Sequence, residues 1–358
     1  MMNRVSPSAL RARAGLAGAL ALLAACGAEP RGAPAPAPFR DPGRHALHVG
    51  MEDGPPESTL GRVVSARVSE NGRHVVVLDF VPPFVKVFDG AGRFHTAFLQ
   101  RGGGPMEARA PSALALGDSL LLVGDGPEHL SIYDLDGNKF ADIPVPGLIP
   151  LGAAAACGDE WVVYGPRRDP AAGPGVATWV HRVRLDPAGG ETSVRSMVRD
   201  SVIGLLSVGM PYGVVADARG VVIRHTLGTR PRLLRMECAG GEPRVLHEGA
   251  PTRAAGPDRG PQRTLRTSIQ PGMRVPGGAA ITSRGVVFGE KVLLGEGASR
   301  LDLTLLDGRA EPRYLSLAGD WVLQDSRPGV GVLVSTMDPV PQVFLVKENE
   351  FLEMFRGR

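Results

Sequence analysis

A six-bladed β-propeller with four strands per blade is the all-β fold class that this sequence predicts, and three observations predict it. First, two series of short turn signals interleave along the chain, each counted six times. One series is centred near positions 90, 137, 189, 240, 308 and 349, with steps of 47, 52, 51, 68 and 41 residues. The other lies between them, at Asn71-Gly72, Gly117-Asp118, Gly158-Asp159, Asp217 to Gly220, Ser283 to Gly285 and Arg327 to Gly329. Second, short runs rich in Val, Leu and Ile separate the turns, as strands do. Third, runs such as Val75-Val76-Val77-Leu78 and Leu120-Leu121-Leu122-Val123 are apolar without alternation, which suits strands covered on both faces by neighbouring blades. Four strands in roughly 40–50 residues is the length of a propeller blade.

The chain divides into three parts. In residues 1–25, Arg4, Arg11 and Arg13 precede a short apolar run from Gly15 to Leu23, and Ala24-Ala25 stand before Cys26. A basic start, an apolar middle and small residues before a cleavage point describe a secretory signal. The run is shorter than the roughly 20 residues needed to span a bilayer. Leu23-Ala24-Ala25-Cys26 resembles the lipobox of bacterial lipoproteins. That resemblance implies cleavage before Cys26 and lipid on Cys26. Gly27, where an Asp would favour the inner membrane, implies an outer-membrane address. Residues 26–44 hold this Cys and a Pro/Ala/Gly-rich tether with no core-forming pattern. Residues 45–358 are the propeller.

The expected strands follow in blade order. Blade one is Val63–Val68, His74–Phe80, Phe84–Phe88 and Phe94–Leu99. Blade two is Ser112–Leu116, Leu120–Gly124, Leu130–Leu135 and Phe140–Val145. Blade three is Leu151–Ala156, Trp161–Tyr164, Trp179–Leu185 and Thr192–Val198. Blade four is Tyr212–Ala216, Val221–Thr226, Arg232–Glu237 and Arg244–His247. Blade five is Ala279–Thr282, Val286–Phe288, Arg300–Leu306 and Arg313–Leu317. Blade six is Trp321–Gln324, Gly331–Thr336, Gln342–Val346 and Phe351–Phe355. Either Phe351–Phe355 or His45–Met51 is expected to pair beside Gln342–Val346 and close the ring; Phe351–Phe355 is the favoured one, with His45–Met51 outside it or nearby. The first strands carry small residues, such as Ala153 to Ala156, because innermost strands crowd the axis.

The stretch Val85-Lys86-Val87-Phe88-Asp89-Gly90-Ala91-Gly92-Arg93-Phe94, followed by Arg101-Gly102-Gly103-Gly104-Pro105, resembles the NHL-like blade of bacterial six-bladed β-propeller lipoproteins. Ser131 to Phe140 repeats the hairpin, and blades three to six keep only the rhythm of turns and strands. Many members of that group have no assigned activity, so the resemblance implies a fold more than a function.

Composition excludes nucleic acid as a partner. The net charge is +3, aromatics are 5% of residues, and no block of five basic residues occurs. Besides Cys26, only Cys157 and Cys238 are present, without metal-ligand spacing. They are expected to remain unbonded to each other, because they fall in different blades and at different radii.

Function is expected on one face. In a propeller the turns between strands one and two and between three and four share a face. The turns between strands two and three share the other with the crossovers to the next blade. All the long connections fall on this crossover side: Gln100–Pro111, Gly165–Thr178, Arg199–Gly209, Gly249–Gly278 and Gly289–Ser299. The polar residues expected near it are Asp79, Arg101, Asp125, Arg167, Arg168, His225, Glu290, Lys291 and Asp338. Asp79 and Asp125 occupy matching places, where a carboxylate accepts hydrogen bonds from an adjacent turn. The expected function is a lipid-anchored binding or scaffold module of the cell envelope for a protein, peptide or glycan, with no cofactor and no catalytic residue. The alternative is a metal-dependent hydrolase or lyase of the lactonase type, with calcium held by Asp79, Asp125, Glu290 and Asp338. The eight His scatter over the strands and the tail, which argues against a zinc site.

Overall fold

The computed structural model describes residues 46–50, 54–156, 160–168, 176–184, 193–201, 213–225, 232–238, 241–249, 274–295, 298–309, 311–337 and 340–356. The signal, Cys26, the tether, Cys157 and Asp338 lie outside the described residues.

The protein is a six-bladed β-propeller. Five blades are antiparallel meanders taken in chain order: Val63–Val68 to Phe94–Phe98, Pro111–Leu116 to Lys139–Pro144, Gly152–Ala156 to Ser193–Ser201, Val214–Asp217 to Arg244–Glu248, and Arg274–Thr282 to Arg313–Ala318. Blade six combines Trp321–Arg327, Gly331–Thr336 and Gln342–Lys347 with an outer strand from the other end of the chain, Ala46–Val49. The register there is Ala46 opposite Val346 and Val49 opposite Val343.

The expectation that Phe351–Phe355 closes the ring as a strand is therefore corrected. Glu348–Glu353 is a helix, which buries Phe351, Leu352 and, just beyond its end, Phe355 against blades five and six. Those three side chains stand at i, i+1 and i+4, one face of a helix. Glu348 and Glu350 in the first turn suit its positive end. The Glu348 carboxylate also accepts the amides of Ser283 and Gly329, joining the inner turns of blades five and six.

The core is split into six apolar clusters, one at each interface between adjacent blades. Val76 and Leu78 of blade one meet Leu114 and Leu121 of blade two, and the series runs around to Val49, Leu333 and Val343 of blade six against Val75 and Val77 of blade one. Because each central strand is covered twice, its sequence shows no alternation. The two best-patterned hairpins are set by carboxylates. Asp89 accepts the amides of Ala91 and Arg93, and Asp134 accepts those of Asp136 and Asn138. The Arg93 amide is the chief reason that the Asp89 carboxyl lies below its usual range.

Two arginines reach the axis beside the small residues expected there, such as Ala153, Ala154 and Ala279. Arg67 donates to the carbonyl oxygens of Leu114 in blade two, Ala153 in blade three and Gln324 in blade six, at 2.9, 2.8 and 2.6 Å. Arg327 donates to Ala216 of blade four at 2.5 Å and Leu116 of blade two at 3.4 Å. Asp325 lies beside them and accepts the Val68 amide. Burial lowers the Arg67 pKa, and the Asp325 charge opposes that shift.

One further expectation changes, and one falls outside the described residues. Several crossover-side connections are strand rather than loop: Glu160–Arg168 and Val176–Arg184 extend the hairpin of blade three, and Gly285–Gly295 with Ala298–Leu306 extend that of blade five. Cys238 is disulfide-bonded, and whether it is bonded to Cys157 falls outside the described residues.

Candidate functional site: the axial mouth on the crossover side

A cavity of about 260 Å³ opens where the first strands of blades one, two, three and six converge. Val63, Val64, Leu151 and Leu323 form apolar walls, and Arg67 and Gln324 lie at its base. Its rim carries Arg62, Arg101 and Arg109 beside the half-exposed ring of Phe80. No Asp or Glu lines it among the described residues.

Each rim arginine is held by its backbone or by a ring, which leaves its charge free. Asp79 ends the second strand of blade one and is fully buried. It accepts the amides of Gly61 and Arg62 at 2.7 Å each and that of Val81 at 3.0 Å, and it pairs with Lys86 Nζ at 2.8 Å. Asp125 ends the second strand of blade two. It accepts the amides of Arg109 and Ala110 at 2.9 and 2.8 Å. Both carboxylates thus fix the backbone that enters the first strand of their own blade. The Arg62 guanidinium lies 5.4 Å from the Phe80 ring centroid, and that of Arg101 lies 5.5 Å from Phe84. A guanidinium over a ring is attracted by the π face and keeps N–H groups for other acceptors. Glu107, the acid of the neighbouring Gly-rich turn, is turned onto the amides of Gly103 and Gly104 at 2.8 Å.

The other expected residues lie elsewhere. His225 is not at the rim: it is 1% exposed, between blades three and four, with Nδ1 2.9 Å from the Tyr164 hydroxyl. Arg167 reaches the Pro146 carbonyl and the Ser196 hydroxyl. Arg168 is exposed at the end of its strand. Glu290 pairs with Arg224 at 3.2 Å, and Lys291 pairs with Asp320. Burial lowers the pKa of Arg224 to about 10 and also that of Lys291. Asp79, Asp125 and Glu290 do not converge on one point. Among the described residues, no three His, Cys, Asp or Glu form a cluster able to hold a metal. Of the sequence candidates, Arg101 lines the cavity, Asp79 and Asp125 hold the backbone behind it, and the structure adds Arg62, Arg67, Phe80 and Arg109 to the lining. Arg62 and Arg109 stand just before first strands, 17 and 16 residues ahead of the carboxylates that hold them, a spacing that marks their backbone but not where their side chains gather.

Apolar side chains are also distributed unevenly. The large ones that remain exposed on the crossover side are Phe80 and Val81 in blade one, Met106 and Ile149 in crossovers, and Leu294, Met337 and Val340 in blades five and six. The rest are on outermost strands, and among the described residues none sits on the opposite face.

No family model and no curated protein matches the chain. Solved structures show the fold. An exported-protein candidate of Bacteroides fragilis is 11% identical, with a TM-score of 0.52, over 81% of this chain and 83% of that one. Regucalcin from Agrobacterium tumefaciens, a calcium-binding protein, is 13% identical, with a TM-score of 0.48, over 85% and 94%. Likeness at this level speaks for architecture alone.

Proposed function

We propose that this protein is a lipid-anchored binding module of the bacterial cell envelope, at the outer membrane, that presents its crossover-side face to a protein, peptide or glycan. The observation that carries the reading is the asymmetry of the two faces. Among the described residues, one face has tight, polar turns, and the other has the axial mouth, three arginines without an ion pair, and every large exposed apolar side chain that is not on an outer strand. Exposed apolar groups gathered on one surface and mixed with arginine are characteristic of contact surfaces. Anchorage is supported by Leu23-Ala24-Ala25-Cys26 and the tether that follows. Among the described residues no helix is long and apolar enough to cross a membrane.

Photo-crosslinking in intact cells tests the face. A photoreactive residue in place of Phe80 is expected to give discrete adducts, and one in place of Arg309, in a turn of the opposite face, is expected to give none. Equal labelling at both positions, or none at Phe80, overturns the reading. Cys26→Ser is expected to abolish both signal cleavage and incorporation of a fatty-acid probe. Unchanged processing and labelling would remove the anchor.

A further inference from the structure

We propose that the axial mouth is itself a binding site for a small organic anion, a carboxylate joined to an apolar body. This goes beyond the partner-binding role of the face and does not depend on which macromolecule docks there.

Three features make the chemistry specific. The walls are apolar, because Val63, Val64, Leu151 and Leu323 face the space, so a hydrocarbon or aryl body gains free energy by leaving water. The rim is cationic: among the described residues Arg62, Arg101 and Arg109 make no ion pair and no carboxylate lines the cavity, because the nearby Asp79, Glu107 and Asp125 are turned onto backbone amides. A guanidinium edge matches a carboxylate by two parallel N–H to oxygen bonds. The floor is rigid, because Arg67 is fixed to carbonyls of three other blades. A cation is therefore excluded by charge, and a neutral solute would leave the rim unanswered. At about 260 Å³ the space is just below the range for drug-sized ligands, which points to a smaller molecule.

The rim is also built in advance. Asp79 and Asp125 fix the backbone of Arg62 and Arg109, and the guanidinium groups of Arg62 and Arg101 lie over the rings of Phe80 and Phe84. Less conformational freedom is then lost on binding.

The test uses the purified full-length protein and titration calorimetry with 2-naphthoate, and with 2-naphthamide as its neutral counterpart. Naphthoate is expected to bind at one site, and naphthamide about tenfold or more weakly. Arg62→Met and Arg109→Met should each weaken naphthoate by about tenfold and leave naphthamide unchanged. Arg309→Met, on the other face, should change neither. The affinity for naphthoate should fall as salt rises. Absence of naphthoate binding, equal binding of the amide, or insensitivity to both rim variants overturns the proposal. Crosslinking at Phe80 with no naphthoate binding would leave the docking face standing and remove the anion site. Naphthoate binding without crosslinks would do the reverse.

Discussion

The carboxylate of Asp79 accepts the backbone N–H of Arg62 at 2.7 Å. It joins the end of one strand to the start of its neighbour, and the same carboxylate carries an ion pair with Lys86, 1% exposed. A structural acid therefore holds a site arginine from beneath. The Lys86 ammonium is held in turn by the Thr59 carbonyl at 2.5 Å.

Asp79→Ala removes one member of a buried pair, leaves three amides without their acceptor, and leaves a buried ammonium with the Thr59 carbonyl but no countercharge. It is expected to cost about 3–5 kcal/mol. Adding Lys86→Met removes the stranded charge and should recover part of that loss. Denaturant titration of both variants checks it. A double variant no more stable than Asp79→Ala would show that Lys86 does not depend on Asp79.

Arg67 makes charged hydrogen bonds to carbonyls of three other blades at the axis. Arg67→Met leaves those oxygens buried without donors, at roughly 1–3 kcal/mol each. Relief of the buried charge offsets part of this. The net expectation is a clear fall in Tm. An unchanged Tm would mean that water replaces the guanidinium.

The blade count and nearly every strand were legible in the sequence because they rest on local rules. Carboxylates and glycines punctuate the hairpins, and doubly covered strands are uniformly apolar. The matching places of Asp79 and Asp125 were legible for the same reason. The site arginines were not. Arg62 and Arg109 look like solvated surface residues until their side chains are seen around one cavity, a relationship between blades rather than within one. Arg67 sits in a strand expected to carry small residues, and nothing local marks a charge that satisfies three other blades. The closing strand was misassigned because Phe351 and Phe355 fit a period of 2 as well as a helix face. Only the ring decides which end of the chain pairs with Gln342–Lys347.

His181 is buried in blade three. Its Nε2 donates to the Gly165 carbonyl at 2.9 Å, and its Nδ1 lies 2.9 Å from the Ser196 hydroxyl. Burial is the main cause that lowers its pKa from 6.5 to about 4. The unfolded chain then binds the proton more tightly than the folded one. Stability is full above about pH 6.5 and declines as pH falls towards 4, by about 3 kcal/mol in all. His181→Gln, which cannot titrate, should flatten that part of the stability profile. A variant with the same slope between pH 6.5 and 4 would place the titration elsewhere.

The disulfide of Cys238 has two candidate partners, Cys26 and Cys157. One guanidinium bears on the choice. Arg182 of blade three reaches Glu160 at 3.4 Å and the carbonyls of Glu237 and Cys238 at 2.7 and 3.3 Å. Cys157 precedes Glu160 by three residues in the chain, and Cys26 is expected to carry lipid. This reverses the sequence expectation that Cys157 and Cys238 stay unbonded to each other: unreduced peptide mapping is expected to find Cys238 linked to Cys157, and a link to Cys26 would overturn this and the lipid together.

Closure of the ring by Ala46–Val49 gives the remaining prediction. This strand lies along Gln342–Lys347, buries Val49 completely, and brings the His48 ring within 5.2 Å of Phe344. A chain beginning at residue 54 loses these contacts and exposes the edge of Gln342–Lys347, a template for pairing with another molecule. A chain beginning at residue 41 keeps them. Thermal melts of the two should differ by about 5 °C or more, with the shorter chain less stable and prone to aggregate. The C-terminal helix has a different effect. It covers blades five and six without pairing at an edge. Removal of residues 348–358 should therefore lower Tm through lost burial of Phe351, Leu352 and Phe355, without opening a strand edge to self-association. If the chain from residue 54 melts like the longer one and stays monomeric, the N-terminal strand is not what closes the ring.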